Sequence, residues 1–168
     1  MDLITLDFET YYDKEYSLKK LTMEEYVRDP RFEVIGVAIK VNNKETEWAS
    51  GTHEQLSKYL QDFDWSNSMV LAHNTMFDGA ILNWHYGIMP RVYTDTMCIA
   101  RAVHGVEDSA SLRALSEKYD IGVKGQEILN TLGKRREQFQ DSELEKFGDY
   151  CVNDVDLTYK LFLKMGKD

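Results

Sequence analysis

The chain of 168 residues has only two cysteines, Cys98 and Cys151. Two thiols with no CxxC pair build no disulfide framework, so reduced cysteines and a cytoplasmic protein are expected. Basic residues are also scarce: 20 Lys and Arg stand against 29 Asp and Glu, a net charge of −9. This argues against a protein that coats nucleic acid through a broad basic face. It leaves open an enzyme acting on nucleic acid, because part of the charge can be a carboxylate cluster neutralised locally by bound cations. No run approaches about 18 uncharged apolar residues, so no membrane span or membrane partner is expected. The start, Met1-Asp2-Leu3, has no basic n-region of a signal peptide. His53, His73, His85 and His104 show no zinc spacing. There is no internal repeat, low-complexity tract or linker.

What is present is ordinary globular composition, 43% hydrophobic and 29% charged, read as one domain over 1–168. Residues 2–8 and 33–42 read as strands. Asn42-Asn43-Lys44 is a turn, and Glu45 to Ala49 a returning strand. Thr52 caps a predicted helix over 53–63. The apolar run 68–73 is a buried strand, followed by a helix through Ile81 and Trp84 that ends near Gly87. Val92-Tyr93 is a brief strand. Asp95 caps a helix to about Val103, and Ser111 caps another to about Tyr119. The stretch 120–140, with Gly122, Gly125 and Gly133, reads as a mobile loop. Asp141 then starts a long helix to about Met165. Antiparallel strands first, then alternating strands and helices, predict an α/β fold with a mixed sheet.

Three acidic signatures lie along these elements. In the first strand, residues two apart share a face, so Asp7 and Glu9 are neighbours at its end. Strand ends are where sites form in α/β folds. The alternative is a solvated strand end. His73-Asn74 ends the strand 68–73, and Phe77-Asp78 opens the next helix. There Asp78 could equally satisfy helix-start N–H groups, Asn74 could be the cap and Phe77 a core residue. On the last helix, Phe147, Tyr150, Asp154, Leu157 and Leu161 form one stripe at spacings of three and four. A carboxylate on such a stripe is expensive unless paired or metal-bound. The alternative for Asp154 is a salt bridge to a Lys or Arg of another element. Tyr150 shares its face one turn earlier, while Asp156 faces away. Four converging carboxylates would repel unless divalent cations sat between them, a standard arrangement for phosphodiester cleavage.

Asp7-Phe8-Glu9, Asn74-Thr75-Met76-Phe77-Asp78 and Tyr150-Cys151-Val152-Asn153-Asp154, in this order, resemble the DEDD superfamily of 3′→5′ exonucleases. The Tyr-x-x-x-Asp motif is that of its DEDDy type. Further likeness to the proofreading exonuclease region of phage-type family A DNA polymerases covers nearly the whole chain. It includes Tyr16 to Leu21, Tyr26 to Val34, Thr94-Asp95-Thr96, Ser111 to Leu115, the Lys124-Gly125 loop and Tyr150 to Asp156. The resemblance implies an RNase H-like fold, with an antiparallel N-terminal part of the sheet and flanking helices. It implies two divalent cations, Mg²⁺ or Mn²⁺, with Asp7 shared, Glu9 and Asp154 completing the first site and Asp78 holding the second. Tyr150 would orient the attacking water. Thr10, Asn74 and Phe77 would position the terminal nucleotide. The implied substrate is single-stranded DNA or a frayed DNA 3′ end, cleaved to 5′-mononucleotides, with a DNA polymerase as a partner class. An exoribonuclease of the same superfamily and a non-catalytic module binding nucleic acid or a polymerase are the competing readings. Lys134-Arg135-Arg136, the densest basic group, is either a phosphate contact or a solvated loop.

Overall fold

A computed structural model describes residues 1–125 and 130–167 of the chain. Its centre is β1 (Asp2–Thr10), whose alternation sorts two environments. Ile4, Leu6 and Phe8 are buried on one face, while Thr5, Asp7 and Glu9 lie on the other, as the period of a strand requires. β1 pairs antiparallel with β2 (Val34–Val41), which pairs antiparallel with β3 (Glu47–Ser50). On its other side β1 runs parallel to β4 (Ser68–Ala72), and β4 to β5 (Val92–Asp95). The order is β3-β2-β1-β4-β5, a five-stranded mixed sheet.

One face of the sheet is covered by α1 (Met23–Arg28), α2 (His53–Leu60) and α3 (Thr75–Tyr86). Tyr26, Val27, Leu56, Leu60, Ile81 and Leu82 form the main core there with Ile4, Leu6, Phe8, Val37 and Ile39. The opposite face carries α6 (Asp141–Met165), whose Cys151 and Val155 pack on Ala38 of β2. A second, smaller core joins Ala100 of α4 (Thr96–His104) and Leu115 of α5 (Leu112–Lys118) to Leu157, Leu161 and Met165 of α6.

Two glycines set how closely α6 approaches the sheet. The Trp48 ring lies between Gly36 of β2 and Gly148 of α6, where an added Cβ would sit 2.3 Å and 2.4 Å from it. Glycine inside a helix costs about 1 kcal/mol relative to alanine. Here the missing side chain admits the tryptophan.

The expected strands and long helices are present, with ends shifted by a few residues. The helix after Thr52 stops at Leu60 rather than 63, and the third strand is Glu47–Ser50. α1 was not expected: it has only six residues, although Thr22 and Glu25 form a full capping box. The segment 120–140 is irregular where it is described, as expected, and is bonded to the body. Gly133 N–H donates to the Tyr12 carbonyl at 2.8 Å, and Tyr12 Oη and Thr131 Oγ1 share a 2.8 Å bond. Arg136–Gln138 form a 3₁₀ turn. Residues 130–140 are thus fastened to the body, and 126–129 lie outside the described residues. No helix among the described residues is long and apolar enough to cross a membrane.

Candidate functional site

β1 outruns its neighbour. Its parallel pairing with β4 covers Asp2 to Thr5, and β4 ends one residue later at Ala72, so Asp7 to Thr10 project past its end. The Phe8 N–H there has no strand to meet, and Asp78 Oδ1, from the first turn of α3, accepts it at 3.0 Å. On the β2 side the register slips between Glu9 and Thr10. Such an irregularity re-aims side chains at a strand end. α6 approaches from the face of Asp7 and Glu9 and brings Tyr150, Cys151 and Asp154.

The structure therefore brings together Asp7, Glu9, Asp78 and Asp154, from one strand and two helices. Asp78 is only 2% exposed and Asp154 only 6%. Burial raises the Asp7 carboxyl to about 7, reinforced by the charge of Asp154. Burial also lifts Glu9 and Asp78 well above the carboxylate range, with the charge of Asp7 next in importance for both. Burial raises Asp154 too, opposed by Lys124. Mutual repulsion and desolvation act together here.

The donor set fits hard divalent cations. Carboxylate oxygens are their preferred ligands. Asp154 Oδ1 is buried with no hydrogen-bond partner, an orphan acceptor of the sort a cation satisfies. Ligand atoms of Asp7, Glu9 and Cys151 lie within 4.8 Å of one another. Cys151 is not a natural member of such a set. Burial pushes its thiol well up, and its Sγ donates to the Asp7 carbonyl at 3.3 Å and to Asp7 Oδ2 at 3.5 Å. It orients Asp7 as a neutral donor.

Sequence reasoning missed Lys124 as a site residue. Its ammonium donates to Asp154 Oδ2 and lies 5.3 Å from the centre of the Tyr150 ring. The ion pair considered for Asp154 thus exists inside the acidic cluster. Burial raises the Tyr150 hydroxyl, which stays a neutral donor at working pH. His73 is structural: Nδ1 meets Thr96 Oγ1 and Nε2 the Ala110 carbonyl, both at 2.8 Å. Asp95 caps two helices. It accepts from Met97 N–H at 2.8 Å and from Thr75 N–H at 2.9 Å. Asn74 holds the N-cap position of α3 with a positive φ of 75° and no side-chain cap.

Two recesses flank the acids. One, of about 500 Å³, is lined by Glu9, Thr10, Tyr12, Tyr26 and Phe77 among others. Thr10 Oγ1 bonds Tyr26 Oη at 2.7 Å, and the Tyr26 ring lies 6.0 Å from Phe77 and 4.5 Å from Tyr16. The other, of about 600 Å³, is lined by His73, Met97, Arg101, Arg113 and Lys124, with no carboxylate on its wall. Lys134, Arg135 and Arg136 line neither recess and are engaged within the protein. Lys134 pairs with Glu143 at 2.7 Å, Arg135 stacks 3.6 Å over Tyr11, and Arg136 N–H and Nε bond Glu33 and Ser50.

Residues 4–168 match the model of a 3′–5′ exonuclease family. The chain belongs to that family. Its fold is that of RNase H-like nucleases of the DEDD superfamily. Brucella melitensis NrnC with bound Mg²⁺ superposes with a TM-score of 0.66 at 17% identity, over 98% of this chain and 72% of that one. Trypanosoma brucei RNase D gives 0.70 at 16%, over 95% of this chain and 49% of that one. The catalytic core of T. brucei RRP6 gives 0.67 at 11%, over 97% and 40%. No curated protein sequence matches the chain. The exonuclease is a hydrolase of nucleic acid ends, and its superfamily works with divalent metal ions.

Proposed function

We propose that this exonuclease removes 5′-mononucleotides from DNA 3′ ends, single-stranded or frayed, using two divalent cations, Mg²⁺ or Mn²⁺. The observation that carries this reading is the convergence of four carboxylates, with one buried oxygen of Asp154 unpartnered, between an aromatic recess and a basic groove. Asp7, Glu9, Asp78 and Asp154 would hold the cations. When bound, such ions activate water at neutral pH and stabilise charge on a leaving oxygen.

The chain's own residues do the positioning. Tyr150, a neutral phenol beside the acids, orients the attacking water. Cys151 holds Asp7 by donating to it. The recess of Thr10, Tyr26 and Phe77 takes the terminal nucleotide, its rings offering stacking surface to any base. Arg101 and Arg113 face solvent beside Lys124 and meet the phosphates of the strand behind the 3′ end. This groove replaces the triplet Lys134-Arg135-Arg136 as the main electrostatic contact, because the triplet is already bonded within the protein.

DNA is favoured because the matched family is that of DNA polymerase A exonucleases, and a DNA polymerase is the natural partner class. The second reading, an exoribonuclease, is favoured by the structural neighbours, which include RNase D and NrnC bound to pGG. End-labelled DNA and RNA of one sequence, each with Mg²⁺ and with chelator, separate the two. Metal-dependent mononucleotide release faster from DNA supports the proposal. Faster release from RNA moves the substrate to the second reading, and release that survives chelation rejects the metal mechanism.

A further inference from the structure

Lys124 sits where a metal ion would have to compete. Among the described residues it is the one cation ion-paired with any of the four acids. It takes Asp154 Oδ2 and leaves Oδ1 of the same carboxylate buried and unpartnered. One ammonium cannot balance four carboxylates, yet a second cation beside it would be repelled in a half-buried site.

The segment that carries Lys124 is laid tightly along α6. Asn153 Nδ2 donates to the Val123 carbonyl at 3.1 Å. Gly122 has φ of +142°, and a Cβ there would lie 2.9 Å from Leu157. At Gly125 an added Cβ would meet the Tyr150 ring at 3.0 Å. Glycines thus bring this backbone into contact with the helix bearing Tyr150 and Asp154, and the lysine stem then reaches the carboxylate. Lys124 also lines the groove of Arg101 and Arg113. Its flexible four-carbon stem gives the ammonium a second place to go, within that groove.

We propose that Lys124 is a resident counter-cation. It holds Asp154 while no divalent ion is bound, and it surrenders that carboxylate on metal loading, swinging into the basic groove. Metal binding and release of Lys124 from α6 are then one exchange, and a phosphate strand in the groove favours the exchanged state. The inference rests on the proposed metal site.

Calorimetric titration of the metal-free protein with Mn²⁺ at fixed pH tests it, comparing wild type with Lys124→Met and Lys124→Arg. Met keeps an unbranched, flexible stem without the charge. It should bind Mn²⁺ about tenfold or more tightly, since a competing charge is gone, while Lys124→Arg should bind no tighter than wild type. Metal-free Lys124→Met should melt below wild type, and saturating Mn²⁺ should close the gap. In the wild-type protein alone, Mn²⁺ should speed amide hydrogen exchange over residues 122–125, a readout independent of any variant's folding. Equal or weaker Mn²⁺ binding by Lys124→Met, with wild type binding normally, overturns the exchange and leaves the metal site standing. Unchanged exchange over 122–125 on loading overturns it as well. Absence of Mn²⁺ binding in every variant and in wild type overturns the metal site and the exchange together.

Discussion

The two faces of β1 are built from alternate residues of one strand, yet they do opposite things. Ile4, Leu6 and Phe8 point into the main core, each at most 3% exposed. Every square ångström of apolar surface removed from water there favours folding. Asp7 and Glu9 point toward α6, where desolvation and mutual charge raise their carboxyls. One face stabilises the fold. The other draws on that stability to hold carboxyls that burial and mutual repulsion push toward the protonated form. The period of two is what lets a single strand do both.

Breaking each face should have opposite signatures. Asp7→Ala should cost activity by about three orders of magnitude or more, since it removes a ligand central to the cluster, while the metal-free melting temperature holds or rises. Leu6→Ala, on the other face, should cost about 2–5 kcal/mol of stability, with Mn²⁺ affinity of the folded fraction unchanged. Denaturant melts beside a nuclease assay check both. A stable but fully active Asp7→Ala would place the chemistry at another site.

Pulling the faces apart is the next largest effect. Gly148→Ala puts a methyl carbon where the Trp48 ring lies, 2.4 Å away, and Gly36 closes the ring's escape on the other side. Overpacking of this kind costs about 1–3 kcal/mol. Because it lifts α6, it should weaken Mn²⁺ binding as well as stability. Wild-type Mn²⁺ affinity in a destabilised Gly148→Ala would mean that the glycine serves packing alone.

The pH response sharpens the comparison. A carboxyl raised in the folded state holds its proton more tightly there than in the unfolded chain, so the fold is favoured while that proton is on. For Asp7 this stability is complete below the ordinary value of 3.8 and is lost as pH rises through about 7. Glu9, Asp78 and Asp154 are raised in the same direction. The metal-free protein should therefore melt at progressively lower temperature as pH climbs across this window, and saturating Mn²⁺ should flatten the trend. A metal-free melting temperature that rises over the window would contradict the assigned burial of these acids.

Tyr150→Phe is expected to act more gently. Losing one hydroxyl changes stability by about 1 kcal/mol or less. The rate should fall, by less than for Asp7→Ala, and calorimetric Mn²⁺ affinity should hold. Loss of Mn²⁺ binding with the hydroxyl would put Tyr150 among the ligands.

The smallest difference lies between the two basic groups. Replacing Arg101 and Arg113 by Gln should flatten the salt dependence of single-strand binding by up to about 1.4 in log–log slope, about 0.7 for each phosphate contact. Neutralising Lys134, Arg135 and Arg136 should change that slope less, since Lys134 already serves Glu143, Arg135 serves Glu33 and Tyr11, and Arg136 serves Ser50. A larger change from the triplet would return the strand to that surface.

Local chemistry made most of the elements legible. Thr52, Asp95 and Ser111 each cap the helix they announce, and Gly87 ends α3 with the positive φ that glycine tolerates. The two-residue alternation of β1 and the stripe of α6 placed Asp7, Glu9, Tyr150 and Asp154 on the right faces before any contact was known. α1 escaped because six residues carry too little periodicity, although Thr22-x-x-Glu25 was there to be read. The partners of the basic triplet could not be read, because local density of charge says nothing about partners. Glu33 and Tyr11 are about a hundred residues away in the chain.

The sequence by itself determined which side chains share a strand face or a helix stripe, because both follow from backbone periods that no distant residue alters. It also determined, through motif order and type, the superfamily to which the chain belongs. Only the tertiary structure decided how close those faces come. Trp48 between two glycines sets the approach of α6, and β1 outrunning β4 hands the Phe8 amide to Asp78. Lys124 reaches Asp154 because Gly122 and Gly125 allow its backbone onto the helix. Each of these is a distance between elements remote in the chain. Such distances depend on packing three layers at once, which no local pattern encodes.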